Sequence, residues 1–233
     1  MTTASAPARG PSAAVRPALL GNVKATREDW LGLALSVLAR RGAAAVTVLD
    51  LSERLKVSRS SFYWYFRNRD ELLDALLQRW ESLNTRSIVR QSEAPAGSIN
   101  EAVCNVFRCW VDPELFSPRL DFAVREWARR SDKVRAALDR SDGERTAAIR
   151  AMFERRGYPF EDALVRARVL YFMQIGYYAL DIKESMEARL KLTPHYLETF
   201  SGVAPREEDL ASFRAYAMRH AGAPDLATIE GDR

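Results

Sequence analysis

A group of hydroxyl, aromatic and guanidinium side chains near residue 60 is the part of this sequence best suited to binding a ligand. At helical spacing, one face carries Ser60, Tyr63, Trp64 and Arg67. Phe62 falls on the opposite face and is expected to enter a core. An exposed Tyr-Trp pair beside arginines is unusual on a solvated helix. It suits a DNA groove, where hydroxyl and guanidinium groups contact phosphates and base edges.

Two short helices joined by a tight turn are predicted to hold this face. Thr47 can cap the first helix and Ser58 the second, because a hydroxyl accepts hydrogen bonds from the free N–H groups of a first turn. A preceding helix is predicted from Thr26 to Gly42, where glycine ends it. A long helix is predicted over residues 70–90. These elements together form a small helical head.

The head resembles the helix-turn-helix of the tetracycline-repressor (TetR) family of bacterial regulators. The resemblance is carried by Val57-Ser58-Arg59-Ser60-Ser61-Phe62-Tyr63-Trp64-Tyr65-Phe66-Arg67-Asn68-Arg69-Asp70-Glu71-Leu72. The family's pattern there is roughly Val-Ser-x-x-x-Leu/Phe-Tyr-x-His/Tyr-Phe-x-x-Lys/Arg-x-x-Leu, and the match covers about residues 26–80. One departure is Lys56, where the family usually has glycine in the turn. A lysine can adopt a left-handed conformation there at a cost of about 1 kcal/mol.

The resemblance implies an all-α fold with an N-terminal three-helix DNA-binding domain and a larger helical domain for effector binding and dimerisation. It implies a transcriptional regulator that binds palindromic double-stranded operator DNA as a homodimer, most often a repressor released by a small-molecule effector. The DNA contacts are expected from Thr47, Arg59, Ser60, Ser61, Tyr63, Trp64, Arg67 and Arg69. Thr47 and Tyr63 would contact phosphates, and Arg69 would clamp the DNA backbone. Arg59, Ser60 and Trp64 would read or flank bases.

The distribution of charge supports a nucleic-acid-binding head. Residues 1–70 carry 11 Lys/Arg and 5 Asp/Glu, whereas the remaining residues carry 24 and 26. We divide the chain into a disordered basic arm (1–22), a helix-turn-helix domain (23–72) and a helical body (73–233). Arg9, Arg16 and Lys24 in or beside the arm can reach DNA.

The sequence of the body predicts helices separated by short breaks. It also contains many aromatic residues. These aromatics can fill a core or line an effector cavity, which would be mostly apolar with a few polar anchors. The candidates for an effector cavity are Cys104, Phe107, Trp110, Phe122, Trp127, Tyr171, Gln174 and Tyr178. In the resembled family two helices form the dimer face, which here would be residues 161–187 and 207–219. The apolar run at 169–180 is too short and too interrupted to cross a membrane.

Motifs for other chemistry are missing from the sequence. The two histidines, His195 and His220, have no neighbouring ligand pattern for a metal, and there is no phosphate loop or dinucleotide fingerprint. We therefore expect no metal, no cofactor and no enzymatic activity. Cys104 and Cys109 point in different directions on one helix, so a disulfide is not expected and a reducing cytoplasm is the natural setting.

Two alternative functions stay open on the sequence alone. The same head could belong to a DNA-binding regulator whose body is controlled by a protein partner or by no ligand at all. Alternatively, a helical enzyme or lipid carrier could carry an additional helix-turn-helix.

Overall fold

The computed structural model describes residues 25–222, and over this range the chain is helical without strands. The helices are α1 (Arg27–Arg41), α2 (Val48–Leu55), α3 (Arg59–Phe62), α4 (Arg69–Trp80), α5 (Arg86–Glu93), α6 (Ile99–Val111), α7 (Pro118–Ala128), α8 (Asp132–Glu154), α9 (Phe160–Ala179), α10 (Met186–Ser201) and α11 (Glu207–His220). The all-α prediction is confirmed. The predicted basic arm, with Arg9, Arg16 and Lys24, lies outside the described residues.

Aromatic packing fixes the core of the head. The capping residue Thr26 accepts from Asp29 N at 3.2 Å and starts α1. α1 then buries Trp30, whose ring meets the edge of Phe62 at a centroid distance of 5.3 Å. Phe62 stacks on Phe66, also at 5.3 Å. Both phenylalanines are buried, so the opposite face of α3 points to solvent.

The turn between α2 and α3 has the left-handed residue that the sequence predicted. Lys56 has φ 56° and ψ 39°. Thr47 caps α2 by accepting from Asp50 N at 3.1 Å, as predicted. The cap predicted for Ser58 is wrong, because its hydroxyl is bonded to the Ser60 hydroxyl at 2.8 Å and no backbone N–H reaches it.

The predicted helix at 70–90 is a continuous helical segment from residue 69 to residue 93, made of α4, a π-helical segment (Glu81–Thr85) and α5. Asn68 caps its start by accepting from Glu71 N at 2.9 Å. The apolar core of the head does not end at this segment. It continues across α4 into α7 and the first turns of α8.

Helices α5, α6 and α8 to α11 enclose a second apolar core. α8 packs along α9, α5 packs against both α6 and α8, and α11 packs on α6. Phe107, Phe153 and Phe213 are among the side chains buried there. Between residues 25 and 222, no helix is long and apolar enough to cross a bilayer.

A buried polar cluster joins the long helical segment to the body. Asp121 on α7 accepts from Trp80 Nε1 at 2.9 Å and from Asn84 Nδ2 at 3.3 Å. It also pairs with Arg125 at 2.8 Å and with Arg145 at 3.0 Å. One carboxylate thereby contacts α4, the π-helical segment and α8.

The same cluster reaches α9 through a tyrosine. Tyr171 donates to Asp142 Oδ1 at 2.7 Å and accepts from Arg145 at 2.9 Å and from Arg125 at 3.1 Å. Arg145 also donates to the Thr85 hydroxyl in the π-helical segment at 3.0 Å. The two positive charges of the arginines are balanced by the two negative charges of the aspartates. This balance is needed because an uncompensated charge in the protein interior is costly.

The boundary between α9 and α10 differs from the prediction. The helix predicted over 161–187 ends at Ala179, and α10 begins at Met186. The connection contains Asp181 with φ 50°, but it has no glycine or proline that would indicate a break. Pro194, which is typical of a helix start, lies inside α10. The capping residue is Ser185, which accepts from Ala188 N at 3.2 Å.

Candidate nucleic-acid interface and effector pocket

The outward face of α3 and of the turn that follows it is open to solvent. Tyr63 is 59% exposed and Trp64 is 67% exposed, although both follow directly after the fully buried Phe62. The Tyr63 ring meets the edge of Phe62 at 5.3 Å, which fixes its direction. Ser60 is exposed on the same side.

Three exposed cations, Lys56, Arg59 and Arg67, lie close in sequence to this aromatic pair. Arg59 and Lys56 make no ion pair or side-chain hydrogen bond within residues 25–222. Arg67 pairs with Glu71 at 3.0 Å, and the Arg67 backbone N–H donates to the same carboxylate at 2.8 Å. That backbone bond, with help from the guanidinium, lowers the pKa of Glu71. Hydroxyl, aromatic and cationic groups thus share one surface, which is the composition needed to contact phosphates and base edges.

Three residues expected to contact DNA are engaged inside the protein. Ser61 is buried and donates to Ser58 O at 2.8 Å. Arg69 donates to Val46 O and Ala43 O, each at 2.6 Å, and ties the start of α4 to the connection between α1 and α2. The Thr47 hydroxyl is occupied as the cap of α2.

A pocket in the body opens between α6, α9, α10 and α11. Its cavity measures about 50 Å³, counted as the space open to the centre of a water molecule. The walls are mostly aromatic or aliphatic, and the lining side chains include Phe107, Trp110, Met173, Gln174, Tyr177, Glu184, Arg189, Leu190, Tyr196 and Phe213. A small set of polar groups in an apolar wall is typical of a small-molecule site.

The polar groups of this pocket lie on α9, on α10 and on the connection between them. Gln174 is 4% exposed, and its Nε2 has no hydrogen-bond partner. Tyr177 donates to Glu184 Oε2 at 3.1 Å. The Arg189 guanidinium carbon lies 5.3 Å from the centre of the Tyr177 ring.

Comparison with known proteins supports the assignment of the head. The family model for bacterial regulatory proteins of the tetR family matches residues 31–76, which include α2, α3 and the exposed Tyr63–Trp64 pair. The head of this chain belongs to the TetR family. The chain is a DNA-binding transcriptional regulator.

Relatives of this chain extend the likeness into the body. The probable HTH-type transcriptional regulator ArpR of Pseudomonas putida is 28% identical over 163 residues, covering 64% of this chain and 76% of that protein. The HTH-type transcriptional regulator TtgR, also of Pseudomonas putida, matches with the same identity and coverage. The class C tetracycline repressor protein of Escherichia coli is 37% identical over 71 residues, or 30% of this chain and 32% of that protein.

A solved structure shares the fold. It is the crystal structure of a putative TetR-family transcriptional regulator from Rhodococcus sp., with a TM-score of 0.52 and 19% identity. The match covers 77% of this chain and 98% of that chain. At this identity the likeness concerns the fold alone.

The residues expected to bind an effector fall into several separate places. Phe107, Trp110 and Gln174 line the pocket described above. Phe122 and Tyr178 line a neighbouring groove of about 300 Å³. The structure therefore brings together three of the eight expected residues in one pocket.

The remaining candidates lie elsewhere. Trp127 lines a groove of about 510 Å³ between the end of α1 and α7. Tyr171 belongs to the buried polar cluster. Cys104 lies in the core, where burial raises the pKa of its thiol to about 12. Within residues 25–222, no cluster of His, Cys, Asp or Glu is arranged to hold a metal ion.

Sequence reasoning missed four pocket residues at the end of α9, in the connection after it and on α10. Tyr177, Glu184, Arg189 and Tyr196 line the pocket and were not among the candidates. The signal that could have found them is Ser185, a helix-capping residue type that marks the true start of α10.

Proposed function

We propose that this chain represses transcription by binding palindromic operator DNA as a homodimer and that a small molecule bound in the body releases it. The observation that carries the proposal is the exposed Tyr63–Trp64 pair close in sequence to Arg59 and Lys56, two exposed cations without an ion pair in the described range 25–222. We assign residues 23–72 to DNA binding and residues 73–233 to effector binding and dimerisation. A bacterial regulator of this kind works in the cytoplasm, where the DNA is, and needs no catalytic group.

The interface we propose is narrower than the set suggested by resemblance. Arg59, Ser60, Tyr63, Trp64 and Arg67 are exposed on one surface and can contact DNA together. Thr47 supports the interface as the cap of α2. Ser61 and Arg69 position the helices instead, because their polar groups are engaged by backbone carbonyls.

The dimer we propose uses the exposed apolar stripe of α9. Val165, Val169 and Phe172 are exposed at spacings of four and three residues, so they lie on one side of the helix. On α10, Leu192 and Tyr196 are exposed as well. An apolar stripe of this kind on a water-soluble helix favours a second subunit.

α11 is less suited to the dimer face than the sequence suggested. It packs its apolar side on α6 and buries Leu210, Phe213 and Ala217 there. Met218 is the large apolar side chain that it exposes within the described range. We therefore place the contact between subunits on α9 and α10.

Selection from a random duplex library tests the DNA-binding part of the proposal. Two-fold symmetric sites should be enriched, with half-sites centred about 34–36 Å apart, since two recognition helices enter successive major grooves. Enrichment of asymmetric sites, or of none, would contradict the homodimer on palindromic DNA.

Titration of small molecules against the selected protein–DNA complex tests the release step. A coupling free energy of about 1–3 kcal/mol would weaken DNA binding roughly 5- to 150-fold at saturating ligand. By reciprocity, DNA must weaken ligand binding by the same factor. A ligand that binds in the α6–α9–α10 pocket and leaves DNA affinity unchanged would show that the release mechanism is wrong.

A further inference from the structure

The pocket between α6, α9, α10 and α11 holds a hydrogen-bond donor that the protein leaves unused. Gln174 is 4% exposed, and its Nε2 makes no hydrogen bond, although it lies near the Tyr178 hydroxyl. Buried N–H groups almost always have a partner, because leaving one unpaired is costly. A ligand with an acceptor atom would supply the missing partner.

A second set of donors lies on α10. The guanidinium carbon of Arg189 lies over the Tyr177 ring, 5.3 Å from its centre, and within the described part of the chain Arg189 makes no ion pair and no side-chain hydrogen bond. Stacking on a ring face leaves the N–H groups at the edge of the guanidinium available. A planar guanidinium is matched to a carboxylate, which it can bind with two parallel hydrogen bonds.

The carboxylate of Glu184 in the lining does not cancel this preference. Glu184 accepts from the Tyr177 hydroxyl at 3.1 Å and is exposed at the rim, where solvent and salt screen its charge. It forms no ion pair with Arg189. The pocket therefore has a buried donor from Gln174, a half-buried donor from Arg189, and apolar walls from Phe107 and Trp110.

We propose that this pocket binds a flat aromatic carboxylate. The carboxylate would bind Arg189 and Gln174 Nε2, and the ring would pack against Phe107 and Trp110. The inference rests on the proposed function and names the chemical class of its effector. The small cavity, about 50 Å³, favours a ligand of one or two rings, because a larger one would need the start of α10 to move far outward.

Three ligands of nearly equal shape test the class on the full chain. Calorimetric titration with 2-naphthoate, 2-naphthamide and protonated 2-naphthylmethylamine separates an anion, a neutral acceptor and a cation on the same rings. We expect the acid to bind at least tenfold more tightly than the amide, and the amine to bind more weakly than the amide. The order follows from the unpaired guanidinium of Arg189.

Matched variants assign the effect to the two donors. Arg189→Gln should lower the affinity of the acid to that of the amide, while the affinity of the amide stays unchanged. Gln174→Leu should weaken the acid and the amide by similar factors. Arg140→Gln, which removes an exposed arginine on α8, should change neither affinity. Circular dichroism melting curves show whether each variant is folded.

Several results would overturn the proposal. These are an amide or amine that binds as tightly as the acid, an acid preference that survives in Arg189→Gln, and no saturable binding of any of the three probes. A cation that binds here and releases DNA would overturn the carboxylate class and leave the proposed function standing. Conversely, tight 2-naphthoate binding by a chain that selects no DNA site would remove the regulator and leave the ligand class standing.

Discussion

Tyr63 and Trp64 are adjacent residues with different expected roles on DNA. Tyr63→Phe removes only a hydroxyl and should weaken binding to every sequence by about 1–2 kcal/mol, through a lost hydrogen bond to a phosphate. Trp64→Ala should weaken binding and also change which bases are preferred, since contacts to base edges carry sequence information. Fluorescence anisotropy with the selected duplex and a random duplex measures both effects.

The control for this pair is Tyr158→Phe, which removes a tyrosine hydroxyl bonded to Ser201 O inside the body. It should leave DNA binding as it is. If Tyr63→Phe and Trp64→Ala both reduce binding to selected and random DNA by equal factors, the division of roles between the two residues is incorrect.

The backbone of Lys56 is strained in the turn that orients α3. Its φ of 56° lies in the left-handed region, where a side chain with a Cβ costs roughly 1–2 kcal/mol. Lys56→Gly should therefore raise the free energy of unfolding by about 1 kcal/mol relative to Lys56→Ala, which removes the charge and keeps the strain. Urea denaturation compares the two variants. Equal stabilities would show that the turn is not strained at this residue.

At the residue scale, spacing predicted the exposed face of α3 but not the role of Arg69. Helical spacing predicted that Tyr63 and Trp64 are exposed beside buried Phe62, although the structure places both in the turn that follows α3. Arg69 bonds to carbonyls 23 and 26 residues earlier. Such contacts depend on how α4 packs against the connection before α2, and no local pattern encodes that.

At the element scale, the buried polar cluster should make the body sensitive to acid. Burial raises the pKa of Asp121, but the guanidinium groups of Arg145 and Arg125 and the bond from Trp80 outweigh it, so the pKa lies below its ordinary value. A carboxyl whose pKa is lower in the folded protein than in the unfolded chain adds stability at pH values above its unfolded pKa, which is about 3.9. This stability is lost as the pH falls through the lower pKa of the folded protein. The free energy of unfolding should therefore fall below about pH 4.

Asp121→Asn tests the cluster directly. It leaves the buried Arg145 without its nearest carboxylate and should destabilise the protein by about 3–5 kcal/mol at pH 7. Asp139→Asn is the matched control, because Asp139 pairs with Arg135 on the exposed side of α8. Urea denaturation at pH 7 and pH 4 should give a large loss for Asp121→Asn and little change for Asp139→Asn. Equal losses would mean that burial does not decide the effect.

Helix positions were predictable wherever caps and breaks lie in local sequence. The start of α1 at its Thr26 cap and the cap of α2 at Thr47 follow from such signals. The connection before α10 was missed although Ser185, a capping residue type, marks its end. The π-helical segment was not found, because tertiary contacts decide it. The π-helical segment places Asn84 and Thr85 against α7 and α8, and neither residue type indicates an irregular helix.

At the scale of the whole molecule, the proposed dimer predicts a loss of assembly from a single charge. Val169→Glu or Phe172→Glu places a carboxylate in the exposed stripe of α9 without disturbing the core. The variants should sediment as monomers at micromolar concentration and lose most of their affinity for a two-fold symmetric site. Arg140→Glu, on the exposed side of α8, should stay dimeric. A wild-type chain that sediments as a monomer would contradict the proposal.

The π-helical segment between α4 and α5 has a consequence for the angular phase of the two helices. A π turn accommodates one more residue than an α turn, and each residue advances an α-helix by about 100°. The insertion therefore sets how the head face of α4 is rotated relative to the body face of α5. Removing one residue from Glu81–Thr85 would restore a uniform helix and rotate one face against the other by about that angle. The direction in which α3 points is thus encoded by a count of residues as well as by their identities.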